Sequence, residues 1–295
     1  MSCSYSVIIP TRNAERTIEK LLDAVNRQNP APAAVFVVDS QSEDRTAEIA
    51  RGMGAKVTVI SKEAFDHGGT RDWALRRTNT PYVIFLTQDA LPADDNCMAR
   101  LLAPMEANPN VAIAGGRQQA YPDARPDEKL VRAYNYPAIN RIWGAEQREE
   151  LGVRAYLVSD VFAAYRRTAY EAVGGFDFPI LTNEDMLITQ KFLDAGYQAA
   201  YAADAVVLHS HDLTLRQQYQ RNYIVGRTMV RYEERFQNAQ ELGEGVSLAI
   251  SVMKQLIENR AFGECFRFAA DCGARFLGNR LGRADERREK KRQRL

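Results

Sequence analysis

The sequence predicts an α/β protein with a mainly parallel central sheet flanked by helices, followed by a C-terminal helical extension. Three observations predict it. Strand and helix patterns alternate through the first ninety residues, polar residues recur at the strand ends, and the last eighty residues carry helical periodicity.

The chain has 295 residues, 45% hydrophobic and 26% charged, which suits one large domain or two modest ones. A net charge of +1 gives no global field for nucleic acid or an acidic partner. No apolar run reaches the ~20 residues needed to span a bilayer. Met1 to Pro10 lacks the basic and apolar regions of a signal peptide and reads as the first strand. Cys3, Cys97, Cys265 and Cys272 lack zinc spacing, which predicts a reduced, cytoplasmic compartment.

Tyr5-Ser-Val-Ile-Ile-Pro10 is a short apolar run, as in a buried parallel strand. Ile18, Leu21, Leu22 and Val25 follow at helical spacing. Ala34 to Asp39 is a second strand, Thr46 to Arg51 a helix, Lys56 to Ile60 a strand and Gly69 to Arg77 a helix. Pro81 to Thr87 is a further strand, just before Asp89. This alternation gives a parallel sheet with helices on both faces, and ligands of such sheets bind beyond the carboxyl ends of the strands. Thr11, Arg12, Asp39, Ser40 and Asp89 all fall there. No Gly-x-Gly-x-x-Gly follows the first strand and no P-loop is present, which argues against dinucleotide oxidoreductases and P-loop enzymes.

Asp39 heads a polar loop, either as part of a helix cap or as an acceptor for a nucleobase N–H. His67-Gly-Gly-Thr-Arg71 opens a helix. Its glycines form an ordinary turn or let backbone N–H groups approach a phosphate, with Arg71 adding a charged bond. Asp89 could hold a divalent cation against a diphosphate, since Mg²⁺ often takes only one or two protein carboxylates. From Gly115 to about Tyr156 the composition shifts to proline and aromatics, and Trp143 and the tyrosines there either meet a sugar acceptor or pack in the core. Leu157 to Tyr165 reads as a strand. A glycine turn at Gly174-Gly175 precedes Asn183-Glu184-Asp185, two adjacent carboxylates at the start of a helix running to Ala195. Such acids cap free N–H groups and suit the helix dipole, or they do chemistry. If the strand from Tyr197 holds through His211, His209 and His211 share a face and can reach a metal or a phosphate.

Leu213 to Phe236 is long and polar. Val246, Ala249, Ile250, Met253, Leu256 and Ile257 form one apolar stripe, and Phe262, Phe266, Ala269, Cys272, Phe276 and Leu277 form another. Arg283 to Arg294 is dominated by Lys and Arg. The stripes pack on the core, bind a partner chain as in a homodimer, or lie on an anionic membrane surface.

Val7-Ile-Ile-Pro-Thr-Arg-Asn13, Val37-Val-Asp-Ser40, His67-Gly-Gly-Thr-Arg71, Leu86-Thr-Gln-Asp89, Gly174-Gly-Phe-Asp177 and Asn183-Glu-Asp185 together resemble glycosyltransferase family 2, with the nucleotide-sugar-binding GT-A fold. The pairing of His67–Arg71 with Thr87–Ala90 is similar to the bacterial rhamnosyltransferase branch, whose donor is dTDP-L-rhamnose. The resemblance implies a nucleotide-sugar-binding half (1–115), an acceptor-binding and catalytic half (116–212) and a helical extension with a basic tail (213–295). It implies Thr11 and Asp39 at the base and ribose, with Pro10, Arg12, Ser40, His67, Gly68, Gly69, Arg71 and Gln88 also on the donor. Asp89 matches the last acid of the Asp-x-Asp motif for Mg²⁺ or Mn²⁺, with His209 as a further ligand and His211 or Trp143 as donor or acceptor contacts. Asp185 matches the catalytic base, acting with the ordinary carboxylate pKa near 4, and Glu184 would help hold the acceptor. The implied acceptor is a saccharide or lipid-linked saccharide of bacterial surface polysaccharide, met in the cytoplasm or at the inner membrane face.

Two departures from the family pattern stand out. Thr87 replaces the first acid of Asp-x-Asp, and Asn222 follows Gln218-Tyr-Gln-Arg221 where processive synthases carry tryptophan. The second predicts addition of one or a few sugars. A sugar nucleotidyltransferase would need a glycine- and basic-rich loop after the first strand, and Val7 to Arg16 has no glycine. A non-catalytic nucleotide-sugar scaffold would not need Glu184, Asp185, Asp89 and paired histidines.

Overall fold

A computed structural model describes residues 4–236 and 242–293. Cys3 and Arg294, named above, lie outside them. Cys97, Cys265 and Cys272 are free thiols.

The chain runs β1 (Tyr5–Thr11), α1 (Ile18–Asn26), β2 (Ala34–Asp39), α2 (Thr46–Gly52), β3 (Lys56–Val59), α3 (His67–Leu75), β4 (Tyr82–Leu86) and β5 (Leu91–Pro92). It continues through α4 (Cys97–Ala107), β6 (Val111–Gln119), α5 (Pro126–Asn135), β7 (Arg141–Trp143), α6 (Arg148–Leu151), β8 (Phe162–Arg166), α7 (Arg167–Ala172) and α8 (Glu184–Asp194). Then come β9 (Gln198–Leu208), α9 (Leu215–Arg231), α10 (Leu242–Glu258) and α11 (Phe262–Gln293).

The sheet order is β3-β2-β1-β4-β8-β6-β9-β5, with β7 also on β9. β1, β2, β3 and β4 are mutually parallel, as alternation predicted. β8 is antiparallel to both β4 and β6, so β6 and its parallel neighbour β9 run the same way as β4. Six strands therefore end on one edge, while the first residues of β8 meet that same edge from the opposite direction. The expected strand at Leu157 starts only at Phe162, so Ser159 and Asp160 are loop residues at the ligand edge.

The pleat sorts the core into two layers. Val7 and Ile9 face Leu21, Leu22 and Val25 of α1 and Leu101 of α4. Ile8, Val83 and Phe85 face Leu75 of α3 and Leu187, Ile188 and Phe192 of α8. This fixes the starts of α3 and α8 on one side of the sheet's carboxyl edge. Gly68 makes the approach possible, since a Cβ there would lie 2.1 Å from the Asp177 carbonyl oxygen.

Candidate active site

Three groups of residues meet the carboxyl edge of the sheet. The first is a cavity of about 260 Å³ lined by Pro10, Thr11, Arg12, Ser40, Gln88, Lys62 and Phe65. Thr11 and Asp39 are paired in register, and the Thr11 hydroxyl donates to Asp39 Oδ1 at 3.2 Å. Ser42 donates its N–H to Asp39 Oδ2 at 2.9 Å and its hydroxyl to Oδ1. Asp39 is thus buried beneath the cavity with both oxygens engaged. These bonds tie the Ser40–Ser42 loop to the end of β2. Gln88 clamps the cavity wall: it accepts from Arg12 N at 2.7 Å and donates to Arg12 O at 3.1 Å.

The second group is Asp89, His209 and His211, whose candidate ligand atoms all lie within 4.8 Å of one another. β9 ends at Leu208, before the histidines, yet the loop still turns both rings toward Asp89. His209 Nε2 is 3.5 Å and His211 Nδ1 3.8 Å from Asp89 Oδ2. His209 is buried, and its Nδ1 lies 2.9 Å from Gln118 Oε1. A carboxamide oxygen only accepts, so Nδ1 carries a proton, and Nε2 is the ring atom turned toward the carboxylate. A carboxylate and two imidazoles, one oriented from behind by Gln118, fit a divalent ion. Burial pushes the Asp89 carboxyl up, but the hydrogen bond and charge of His209 outweigh it and hold the group well below the carboxylate range.

The third group surrounds Asp185. Arg71 is buried and reaches Glu184 Oε1 from Nη1 at 3.1 Å and Asp160 Oδ2 from Nε at 3.2 Å. Its Nη1 also donates to the His67 carbonyl at 3.0 Å. Arg71 is therefore committed to two buried acids and does not reach out to a phosphate. Nor do Gly68 and Gly69 form a phosphate cradle. Asp66 already caps α3 by accepting from Gly69 N at 2.7 Å, and its other oxygen accepts from Ile180 N at 2.7 Å. His67 is half-exposed, with Nδ1 3.7 Å from Glu184 Oε1. Glu184 is buried and paired with Arg71.

Asp185 lies one step, about 100°, further round the helix. It lines a cavity of about 640 Å³ together with Tyr136, Trp143, Ser159, Asn183 and Tyr201. Met186 N donates to its Oδ1 at 2.8 Å and Asp160 N to its Oδ2 at 3.3 Å. Asn183, in the left-handed region at φ 64°, turns the chain into the helix and makes no side-chain cap bond. Trp143 is buried, and its indole N–H donates to the Ala155 carbonyl at 2.8 Å, so it is a core residue with one side on the cavity.

Residues 6–174 match the family model described as Glycosyl transferase family 2. The chain belongs to glycosyltransferase family 2. This transferase is 35% identical over 283 residues to O-antigen chain rhamnosyltransferase RfbN of Salmonella typhimurium, covering 94% of this chain and 89% of that protein. It is also 35% identical over 285 residues to O-antigen chain rhamnosyltransferase WbaN of Salmonella anatum, covering 95% and 89%. Among solved structures it is similar in fold to the mannosyltransferase PcManGT of Pyrobaculum calidifontis in complex with GDP-Man and Mn²⁺. That match has a TM-score of 0.61 and 18% identity, and covers 93% of this chain and 86% of that one. A second similar structure is residues 1–349 of Staphylococcus aureus TarS in complex with UDP-GlcNAc, with a TM-score of 0.59, 19% identity and coverage of 86% and 72%.

Within the transferase the three acids around Arg71 separate electrostatically. Burial, then the charge of Glu184, pushes Asp185 up to about 7, against the two N–H bonds and Arg71. Burial would also raise Glu184, but the charge of Arg71 and the contact with His67 hold it down to about 2. Burial pushes Asp160 well up despite Arg71, helped by the Asp185 and Glu184 charges. Asp185 is thus a stronger base than the free carboxylate expected from sequence. Asp160 and Gln118 escaped sequence reasoning. Both lie at the ligand edge, and their position beside a strand terminus was the available signal.

Proposed function

We propose that Asp185 is the general base of a single, inverting displacement. An acceptor hydroxyl attacks the anomeric carbon of the donor as its proton passes to the Asp185 carboxylate. The new C–O bond forms as the bond from the anomeric carbon to the diphosphate oxygen breaks, and the nucleoside diphosphate leaves with the electron pair. The observation that carries this reading is Asp185 itself, an acid raised to about 7 on the wall of the 640 Å³ cavity and held by two N–H groups. Burial and the Glu184 charge keep its basicity high, and Arg71 pairs with both Glu184 and Asp160. Asp89, His209 and His211 would hold Mg²⁺ or Mn²⁺, which when bound neutralises charge on the departing diphosphate. A Mn²⁺-bound neighbour of this fold supports the assignment.

The donor we infer is dTDP-L-rhamnose, seated from the Thr11–Gln88 cavity toward Asp89. The acceptor is a saccharide or lipid-linked saccharide of O-antigen, met in the cytoplasm at the inner face of the cell membrane. Identity of 35% with two O-antigen rhamnosyltransferases over most of both chains supports it. The division into a donor half (1–115), an acceptor and catalytic half (116–212) and a helical extension (213–295) belongs to the same reading. A panel of nucleotide sugars with Mn²⁺, followed by thermal shift and product release, tests the donor. At ~100 times its Kd a true donor adds about 2.7 kcal/mol of stability. dTDP-L-rhamnose should give that shift and be consumed with acceptor. The same response to a UDP-sugar alone would replace the donor assignment and leave the Asp185 mechanism standing.

A further inference from the structure

The C-terminal helices leave apolar surface uncovered, and its pattern specifies what covers it. Along α11 the exposed large apolar residues are Phe262, Phe266, Phe276, Leu277 and Leu281, with Phe266 81% exposed. At roughly 100° per residue they lie on one stripe, which continues through Arg280, Arg287, Arg288 and Lys291, all exposed. Taking Phe262 as zero, these residues fall within about −40° to +100°. The acids of α11, which are Glu264, Asp271, Asp285, Glu286 and Glu289, fall about 140° to 240° round the helix.

Three of these acids are held on that side by α9. Glu286 accepts from Arg227 and Arg231, each at 2.7 Å, Asp285 accepts from Tyr223 Oη at 3.0 Å, and Glu289 pairs with Arg227. Glycines lock this orientation. A Cβ on Gly278 would lie 2.3 Å from the Tyr219 carbonyl oxygen, and one on Gly282 2.0 Å from that of Tyr223. The outward face is therefore aromatic and aliphatic along its first five turns, basic along the rest, and free of acids of its own. The acid of α11 nearest to the stripe is Asp285, 3.3 Å from Arg288. The Arg280 guanidinium lies 6.0 Å from the centre of the Phe276 ring, beside the apolar surface. α10 adds a second exposed stripe through Val246, Ile250 and Ile257.

We propose that this outward stripe of α11 seats the enzyme on an anionic lipid surface, its rings entering the headgroup boundary and its cations meeting lipid phosphates. Among the described residues no helix is long and apolar enough to cross a membrane, so α11 lies on the bilayer and does not span it. A second copy fits this face poorly. In a two-fold contact the same stripe would meet itself, bringing cations to apolar or cationic surface with no acid in the stripe to receive them. The seat bears on transfer, because α10 and α5 share a small core through Val252, Leu256, Leu130 and Val131. α5 ends at Asn135, on the wall of the Asp185 cavity.

The test is sedimentation of the full chain with phosphatidylcholine vesicles, with and without phosphatidylglycerol, at two salt concentrations. The protein should bind only the anionic vesicles, and less at high salt. Each cation near the surface contributes about fivefold, so the triple variant R280Q/R287Q/K291Q should partition about a hundredfold more weakly. Phe266→Asp with Phe276→Asp should abolish binding. Donor turnover without vesicles should stay at the wild-type level in both variants, which shows they are folded. Failure of the wild type to bind anionic vesicles, or unchanged binding by the triple variant, overturns the proposal. So does a dimer in light scattering that the phenylalanine variant dissolves, which would make a second copy the occupant.

Discussion

Two carboxylates at one sheet edge, Asp185 and Asp89, start from the same chemistry and are driven in opposite directions. Both lose water. Asp185 shares its surroundings with Glu184 and Asp160 and only one buried cation, Arg71, so burial and like charge win and its proton affinity rises. Asp89 faces two imidazoles, and the hydrogen bond and charge of His209 overcome its desolvation. The first environment raises a carboxylate's proton affinity and the second keeps one ionised, as the proposed base and the proposed cation site each require. Neighbours divide the labour, and the residue type does not.

The largest expected effect comes from removing the proposed base. Asp185→Asn keeps the shape and should lower transfer by about 10²–10⁴ while donor binding, measured by calorimetry, stays unchanged. Next is the cation that organises the acids. Arg71→Met leaves Glu184 and Asp160 buried without their partner and should cost about 3–5 kcal/mol in chemical denaturation. On the other side of the comparison, Gln118→Ala frees His209 Nδ1 and should weaken Mn²⁺ binding about 10–100-fold without moving the pH profile of transfer. Gly68→Ala drives a methyl into the Asp177 carbonyl and should destabilise by about 1–3 kcal/mol, read as a lower melting midpoint.

Much of this was legible in the residues. Alternating apolar runs gave the parallel strands, and a polar residue after each gave the edge where Thr11, Ser40 and Asp89 gather. Adjacent acids after a glycine turn gave Asp185. The rest depended on contacts between distant segments. β8 runs against its neighbours, so Asp160, which precedes it, reaches the site from a loop that read as strand. Arg71 follows two glycines and resembles a phosphate ligand, until α8 places Glu184 3.1 Å away. Glu184 and Asp185 are neighbours in sequence, and only the packing of α8 on α3 decides which faces inward. Asp39 looked like an open acceptor because the return of Ser42 to both its oxygens is a matter of loop conformation.

The most direct test is the pH dependence of kcat/KM for the wild type and Glu184→Gln at saturating Mn²⁺. The base must be ionised, so activity should fall as pH drops through about 7, the raised value of Asp185. His211 does not account for that limb, since burial and then the charge of His209 push it down to about 4. Removing the Glu184 charge lowers the proton affinity of Asp185, so the limb should move to lower pH in the variant. A wild-type limb near the ordinary carboxylate value of about 4, or one that Glu184→Gln leaves in place, would contradict the assignment of Asp185 as a base tuned by its neighbours.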